Sequence, residues 1–218
     1  MDDPGEFHAP DFDAAFKEKL GALFRWRRDV RRFRSDPIDG DVIDRLLGLA
    51  ALAPSVGNSQ PWRFVKVNDP DRRAAVRASF EACNKDALAD YHGERAKLYA
   101  QLKLEGLDKA PVQLAVFVDA ETDVGRGLGQ KTMPETLNYS VVAAINHLWL
   151  AARAEGIGVG WVSILEPDRI NQALDVPAGW ELVAYLCVGY PEEDHEVPEL
   201  VRAGWQDRLD ISQFVIER

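Results

Sequence analysis

Four arginines and one carboxylate fall within six residues in the stretch Arg27-Arg28-Asp29-Val30-Arg31-Arg32, in a chain whose formal net charge is -10. The planar fork of an arginine grips a phosphate through two parallel charge-assisted hydrogen bonds. We interpret the stretch as the anchor for the phosphate of a small cofactor. The stretch alone leaves one alternative open, a solvated basic helix end beside the negative pole of the helix dipole.

An apolar helical pattern precedes the arginines. Asp11 or Asp13 can cap a helix whose apolar residues recur at helical spacing from Phe16 onward, and the pattern predicts that this helix continues to Phe33. Ser35-Asp36-Pro37 then breaks it. The first helix is therefore expected to deliver the arginine stretch.

Two later stretches offer backbone groups to a ligand. The loop Ala53-Pro54-Ser55-Val56-Gly57-Asn58-Ser59-Gln60-Pro61-Trp62 is small and polar, which suits the edge of a flat ring or a sugar-like chain. An ordinary helix-to-strand connection is the alternative. The glycines in Gly156-Ile157-Gly158-Val159-Gly160 let backbone come close to a ligand, and Ser163 follows near the end of a predicted strand.

Periodicity predicts the remaining elements. Helices are expected at 39–53, 70–82, 137–155 and 167–174, and strands at 63–67, 112–118, 159–164 and 181–189. The polar segment 83–109 is predicted to be either an active-site lid or one solvent-facing helix. Residues 191–218 form a C-terminal arm. Without a second core or an internal repeat, we expect a single domain over residues 1–218.

Composition excludes several classes of function. The acidic balance argues against nucleic acid, and an apolar run long enough to span a membrane is missing. The polar N-terminus is unlike a signal peptide, and two isolated cysteines are typical of buried thiols in a reducing cytosol. These features predict a cytoplasmic protein. Because the four histidines are scattered, we expect no metal site.

Several stretches together resemble a known family. Arg27-Arg28-Asp29-Val30-Arg31, Ala53-Pro54-Ser55 with Gln60-Pro61-Trp62, and Gly160-Trp161-Val162-Ser163 are similar to motifs of the FMN-dependent nitroreductase superfamily. Further stretches resemble its BluB-type branch, the dimethylbenzimidazole synthases: Gly93-Glu94-Arg95, Leu102-Lys103-Leu104-Glu105-Gly106, and Leu148-Trp149-Leu150-Ala151-Ala152-Arg153-Ala154-Glu155-Gly156.

The resemblance implies an α+β, nitroreductase-like fold with a central mixed or antiparallel sheet flanked by helices, a helical lid and extended terminal arms. It implies a homodimer that fragments reduced FMN with dioxygen to 5,6-dimethylbenzimidazole and erythrose 4-phosphate, for the lower ligand of cobalamin. FMN is then a substrate, and a separate flavin reductase supplies it in the reduced form.

The resemblance also implies roles for individual residues. Catalysis is assigned to Asp29, as a base facing the ribityl chain, and to Ser163. FMN contacts are assigned to Arg27, Arg28, Val30, Arg31, Ser55, Asn58, Leu104, Ser163 and Arg208. Within this set the four arginines hold the phosphate, Ser55 bonds the ribityl chain or ring edge, and Leu104 covers the ring.

Other interpretations stay open on the sequence alone. Asp29 could simply pair with Arg28 or Arg32. Ser163 could be a strand-end serine that bonds backbone. A conventional nitroreductase or dehalogenase that uses NAD(P)H and recycles its FMN shares the fold, and a non-catalytic flavin-binding protein is the alternative outside enzymes. A carboxylate at Asp29, where ordinary nitroreductases commonly carry serine, argues against the first.

Overall fold

The computed structural model describes residues 9–102 and 106–218, and its centre is a four-stranded antiparallel sheet of order β1-β2-β4-β3. The strands are β1 (Trp62–Lys66), β2 (Val112–Asp119), β3 (Gly158–Val162) and β4 (Trp180–Gly189). Each predicted strand is present, with ends that differ by at most two residues. The sheet and its flanking helices confirm the predicted α+β class.

Seven α-helices surround the sheet in the described part of the chain. They are α1 (Ala14–Trp26), α2 (Gly40–Ala50), α3 (Pro70–Ala89), α4 (Glu94–Gln101), α5 (Thr136–Ala154), α6 (Pro167–Leu174) and α7 (Glu199–Arg202). Short 3-10 helices cover Val56–Asn58 and Ile211–Phe214. The carboxylate of Asp13 caps α1, as predicted, by accepting a hydrogen bond from the Phe16 amide.

Strand β2 explains why the sheet has a core on each face. Its side chains alternate, so that Leu114 and Val116 pack with α2 and α5 while Ala115 and Phe117 pack with α3 and α6. All four side chains are buried. A strand that is covered on both faces is apolar over most of its length, which is why residues 114–118 form a continuous hydrophobic run.

The first helix ends earlier than its pattern predicts. Helix α1 stops at Trp26, and Arg27 already has extended backbone angles. The chain then runs along the outer edge of β3, where Asp29 forms a parallel bridge with Val159. The predicted helix end at Phe33 is therefore wrong. The reason is tertiary: the edge of β3 offers unpaired backbone groups, and the arginine stretch supplies their partners.

One other helix boundary also differs. Helix α2 ends at Ala50, within the predicted limit of Ala53, but α3 continues to Ala89 instead of stopping near Ala82. The predicted lid segment 83–109 therefore includes the end of α3 and the separate helix α4, and its Leu104 lies outside the described residues. Its role as a lid remains a prediction. Within the described ranges, every helix is too short or too polar to cross a membrane.

Candidate functional site

The arginine stretch lies in a groove that glycines make possible. The Val30 amide donates a hydrogen bond to the Val159 carbonyl over 3.0 Å. A Cβ atom at Gly160 would lie 2.0 Å from the Val30 carbonyl oxygen, and one at Gly158 would lie 2.7 Å from a Val30 methyl. The group that these glycines admit is thus the chain's own arginine segment. From the sequence alone, the group expected beside these glycines is a ligand.

Trp149 on α5 fixes the start of the segment. Its indole N–H donates a 3.0 Å hydrogen bond to the Arg28 carbonyl. The guanidinium of Arg27 lies 4.9 Å from the centre of the Trp149 ring, which is cation–π range. From the sequence alone, Trp149 is predicted only as part of the apolar face of its helix. A tryptophan needs a partner for its N–H when it is partly buried, and that requirement was the available signal.

The Asp29 carboxylate extends the pairing with the edge of β3 beyond the backbone hydrogen bond between Val30 and Val159. One oxygen accepts a 2.9 Å hydrogen bond from the Trp161 amide, and the other accepts a 3.1 Å hydrogen bond from Arg31 Nε. Asp29 therefore pairs with Arg31, whereas the alternative had named Arg28 or Arg32. About a third of the Asp29 side chain, 36%, remains exposed. The carboxylate is held in one orientation but is still accessible.

Opposing effects act on the charge of Asp29. Burial among protein atoms raises the pKa of its carboxyl above the ordinary value of 3.8. The hydrogen bond from Trp161 and the nearby Arg31 cation act in the other direction, and they offset part of that rise. A carboxyl with a raised pKa is a stronger base than an ordinary aspartate, which favours proton transfer as its task.

Four arginines converge on one cleft beside Asp29. The cleft has a volume of about 230 Å³, and Arg27, Arg28, Arg31 and Arg208 contribute to its lining. Burial, followed by the charges of Arg27 and Arg208, lowers the pKa of Arg28. Arg28 Nε and Arg31 Nη1 are buried without a hydrogen-bond partner among the described residues. Unpaired guanidinium donors among like charges fit an anion such as a phosphate.

The C-terminal arm forms the opposite wall of this cleft. Pro198, Glu199 and Leu200 line it together with Arg208. A carboxylate oxygen of Glu199 lies 3.8 Å from a guanidinium nitrogen of Arg32, so Arg32 is turned to the arm. The family resemblance predicts a role for Arg208, but the sequence does not predict helix α7, because four helical residues in a polar tail show no periodicity.

The other predicted contacts lie elsewhere in a single chain. Ser55 accepts a 3.1 Å hydrogen bond from the Gln60 amide, and the neighbouring Val56 amide donates to Ser140 on α5. Ser140 precedes Trp149 by nine residues on that helix, about 13 Å along its axis. The loop that holds Ser55 and Asn58 is therefore separate from the arginine cleft. Neither residue lines the cleft.

Ser163 and Leu104 remain to be placed. Ser163 is exposed, directly after the end of β3 and two residues beyond Trp161, whose amide binds Asp29. That position puts it on the strand that carries the Asp29 contact. Leu104 lies outside the described residues. Within the described residues, clusters of three or more histidine, cysteine, aspartate or glutamate side chains suited to a metal ion are absent.

Comparison with known proteins gives a consistent result. The nitroreductase family matches residues 24–190. The 5,6-dimethylbenzimidazole synthase of Rhodospirillum rubrum is 62% identical over 91% of this chain and 94% of its own length. A 5,6-dimethylbenzimidazole synthase of Rhodobacter capsulatus is 50% identical over 91% of this chain and 96% of its own. Iodotyrosine deiodinase 1 of Rattus norvegicus is 29% identical over 83% of this chain and 65% of its own.

Solved structures agree on the fold. Oxidized iodotyrosine deiodinase bound to FMN and 3-iodo-L-tyrosine superposes with a TM-score of 0.68 at 26% identity, over 81% of this chain and 91% of the other. A Staphylococcus epidermidis structure that is described as an NAD(P)H:FMN oxidoreductase superposes with a TM-score of 0.68 at 16% identity. The match covers 91% of this chain and 95% of the other. At that identity the second match supports the fold alone.

Proposed function

The chain belongs to the nitroreductase family, and from this premise and the 62% identity to a 5,6-dimethylbenzimidazole synthase we propose that it is a 5,6-dimethylbenzimidazole synthase. It fragments reduced FMN with dioxygen to 5,6-dimethylbenzimidazole and erythrose 4-phosphate, and the first product serves as the lower ligand of cobalamin. The geometric observation that carries the proposal is a partly exposed carboxylate, Asp29, within a cleft of four arginines.

The arginines account for binding. Arg27, Arg28, Arg31 and Arg208 hold the FMN phosphate, which supplies acceptors for the buried donors on Arg28 and Arg31. Loss of one such charge-assisted contact costs about 1.5–3 kcal/mol of binding. Bound FMN would supply the electrons that reduce dioxygen, the dimethylbenzene ring with its two nitrogens, and the one ribityl carbon that erythrose 4-phosphate does not contain, which becomes the carbon between those nitrogens.

Asp29 acts as the base and Ser163 as the second catalytic residue. The Trp161 hydrogen bond orients the Asp29 carboxylate, and its raised pKa suits it to accept a proton from the ribityl chain. Val30 holds the arginine segment against β3 through its backbone hydrogen bond to Val159. Leu104, in the lid segment, covers the ring and excludes water.

A second copy of the chain completes the site. No residue of α1 is buried, although it carries Phe16 and Phe24, which are 44% and 53% exposed. Near the C-terminus Phe214 and Ile216 are also more than half exposed. Such apolar surface calls for a cover, and a homodimer supplies one. The loop with Ser55 and Asn58 then meets FMN through that assembly. A separate flavin reductase delivers reduced FMN in the cytoplasm.

The main rival is an enzyme that keeps its FMN, such as a nitroreductase or an iodotyrosine deiodinase. The 29% identity to the deiodinase is far below the 62% to the synthase. Asp29 also favours the synthase, because an enzyme that only passes electrons through FMN has no proton to remove from its ribityl chain.

Limiting FMN separates the two. The protein is mixed with NADPH, a flavin reductase, air and one acceptor, either a nitroaromatic compound or 3-iodotyrosine. We expect the flavin absorbance to fall in step with the appearance of 5,6-dimethylbenzimidazole, while the acceptor stays unreduced. Many turnovers of acceptor with intact flavin would overturn the proposal in favour of the rival, and intact flavin with no turnover would indicate a binding protein.

A further inference from the structure

Three aromatic side chains join the lid segment to the C-terminal arm. The rings of Tyr91 and Tyr99 stack with centres 4.8 Å apart, and Trp205 of the arm meets Tyr91 edge-on at 5.6 Å. The Trp205 and Tyr99 ring centres are 6.3 Å apart. Pairs in this geometry contribute beyond the area they bury. We call these three residues the aromatic cluster.

The cluster is fixed to the body of the protein on its lid side. Tyr99 on α4 is 7% exposed, and its hydroxyl donates a 2.8 Å hydrogen bond to Asn84 on α3. Helix α3 packs against the sheet through Val76 and Phe80. Because α4 is hydrogen-bonded to α3, its position is fixed relative to the core. Trp205 therefore rests on a firm surface.

Trp205 is also the packed residue nearest to Arg208 along the arm. The Trp205 amide closes the α7 turn by donating a 2.8 Å hydrogen bond to the Leu200 carbonyl. Residues 206–210 are exposed, and the Gln206 side chain bonds only the neighbouring Asp207 carbonyl among the described contacts. Three residues of chain span about 10 Å at most. The place of Arg208 in the cleft is thus tied to the place of Trp205.

We propose that Trp205 is a positioning residue that couples helix α4 to the FMN phosphate through Arg208. This inference rests on the proposed function only in that the anion of the cleft is the phosphate of FMN. When the phosphate holds Arg208, the arm is held as well, and Trp205 stays on Tyr91 and Tyr99. By linkage, the same contact makes a docked α4 favour phosphate binding to the same extent. Helix α4 therefore responds to the phosphate, although none of its described residues lines the arginine cleft.

Two ligands that differ only by the phosphate test this coupling. Dissociation constants for FMN and riboflavin are measured by quenching of flavin fluorescence in the wild-type protein, Trp205→Leu, Arg208→Gln and the double variant. We expect Trp205→Leu to weaken FMN about tenfold and riboflavin by less than about twofold, since one charge-assisted contact is worth at least that much. The double variant should bind FMN no more weakly than Arg208→Gln, because both changes remove one interaction.

Two further variants protect the test against a folding defect. Trp205→Phe keeps an aromatic ring on the tyrosines and should restore most of the FMN affinity. Tyr91→Leu removes the contact from the lid side and should give the same FMN-specific loss. Equal losses for FMN and riboflavin, or losses that add in the double variant, would overturn the inference. If the wild-type protein does not prefer FMN to riboflavin, the proposed phosphate site itself is wrong.

Discussion

Asp29 has a structural task and, in the proposed function, a chemical one, and both depend on the same two oxygens. It replaces a backbone carbonyl as the partner of the Trp161 amide, and it pairs with Arg31. Because an asparagine retains an acceptor for Trp161, Asp29→Asn removes the charge and leaves the edge contact. The two tasks can therefore be separated by experiment.

The raised pKa of Asp29 predicts a pH dependence. A base works only when deprotonated, so the acidic limb of kcat at saturating FMN should lie above pH 3.8, the ordinary pKa of an aspartate. Arg31 lowers the pKa of Asp29, so Arg31→Gln should move this limb to still higher pH. A pH series of 5,6-dimethylbenzimidazole formation measures both, and an unchanged limb in Arg31→Gln would contradict the role of Asp29 as the base.

The raised pKa of Asp29 also makes the stability of the fold depend on pH. A carboxyl whose pKa is raised by folding stabilises the folded state below its unfolded pKa, and this contribution is lost as the pH rises through the folded pKa. At neutral pH the ionised Asp29 therefore stabilises the folded state less than its protonated form would. Asp29→Asn should unfold no more readily than the wild-type protein at pH 7.

The sequence predicted the site residues best where they lie together in one short stretch. The arginines beside Asp29 predicted a phosphate cleft, and Arg27, Arg28 and Arg31 do line one cleft. Arg208, which the family resemblance added, lines it as well, whereas Arg32 does not. The contacts of Trp149 were not readable, because they depend on which face of α5 meets the arginine segment. Whether Asp29 and Ser163 are catalytic stays a prediction.

Strand β3 is the element on which the site is built. One edge pairs with β4, and the other pairs with the arginine segment at Asp29 and Val30. The predicted first helix extends beyond its observed end at Trp26. Local periodicity cannot show that a strand edge elsewhere in the chain pairs with the residues that follow. The internal strands and α5 were predicted well, since their burial on one or both faces fixes the pattern.

Gly160→Ala tests this pairing. The added methyl would meet the Val30 carbonyl oxygen at 2.0 Å, and the backbone would have to shift. We expect a loss of about 2–3 kcal/mol in the free energy of unfolding, measured by urea denaturation, together with weaker FMN binding. Gly48→Ala is the matched control, because nothing lies within 4 Å of its added methyl on α2. It should be neutral or stabilise by up to about 1 kcal/mol. Equal stability of both variants would contradict the pairing.

At the scale of the whole molecule, two parts of the described chain form the arginine cleft. The sheet with its two cores positions Asp29, Arg27, Arg28 and Arg31, whereas Arg208 lies on the C-terminal arm. The resemblance to the nitroreductase superfamily, made from short motifs, is confirmed by the family match over residues 24–190. The separation of Ser55 from the arginine cleft could not be predicted from the sequence, because motifs carry no distances between the residues that they contain.

One measurement tests the central claim, that this protein consumes FMN with the help of Asp29. FMN bound to the wild-type protein and to Asp29→Asn is reduced without oxygen, air is admitted, and the small molecules are identified by mass spectrometry. The account predicts one 5,6-dimethylbenzimidazole for each FMN lost in the wild type and at least about 100-fold slower formation in Asp29→Asn. Intact FMN recovered from the wild type, or an equal rate in the variant, would contradict it.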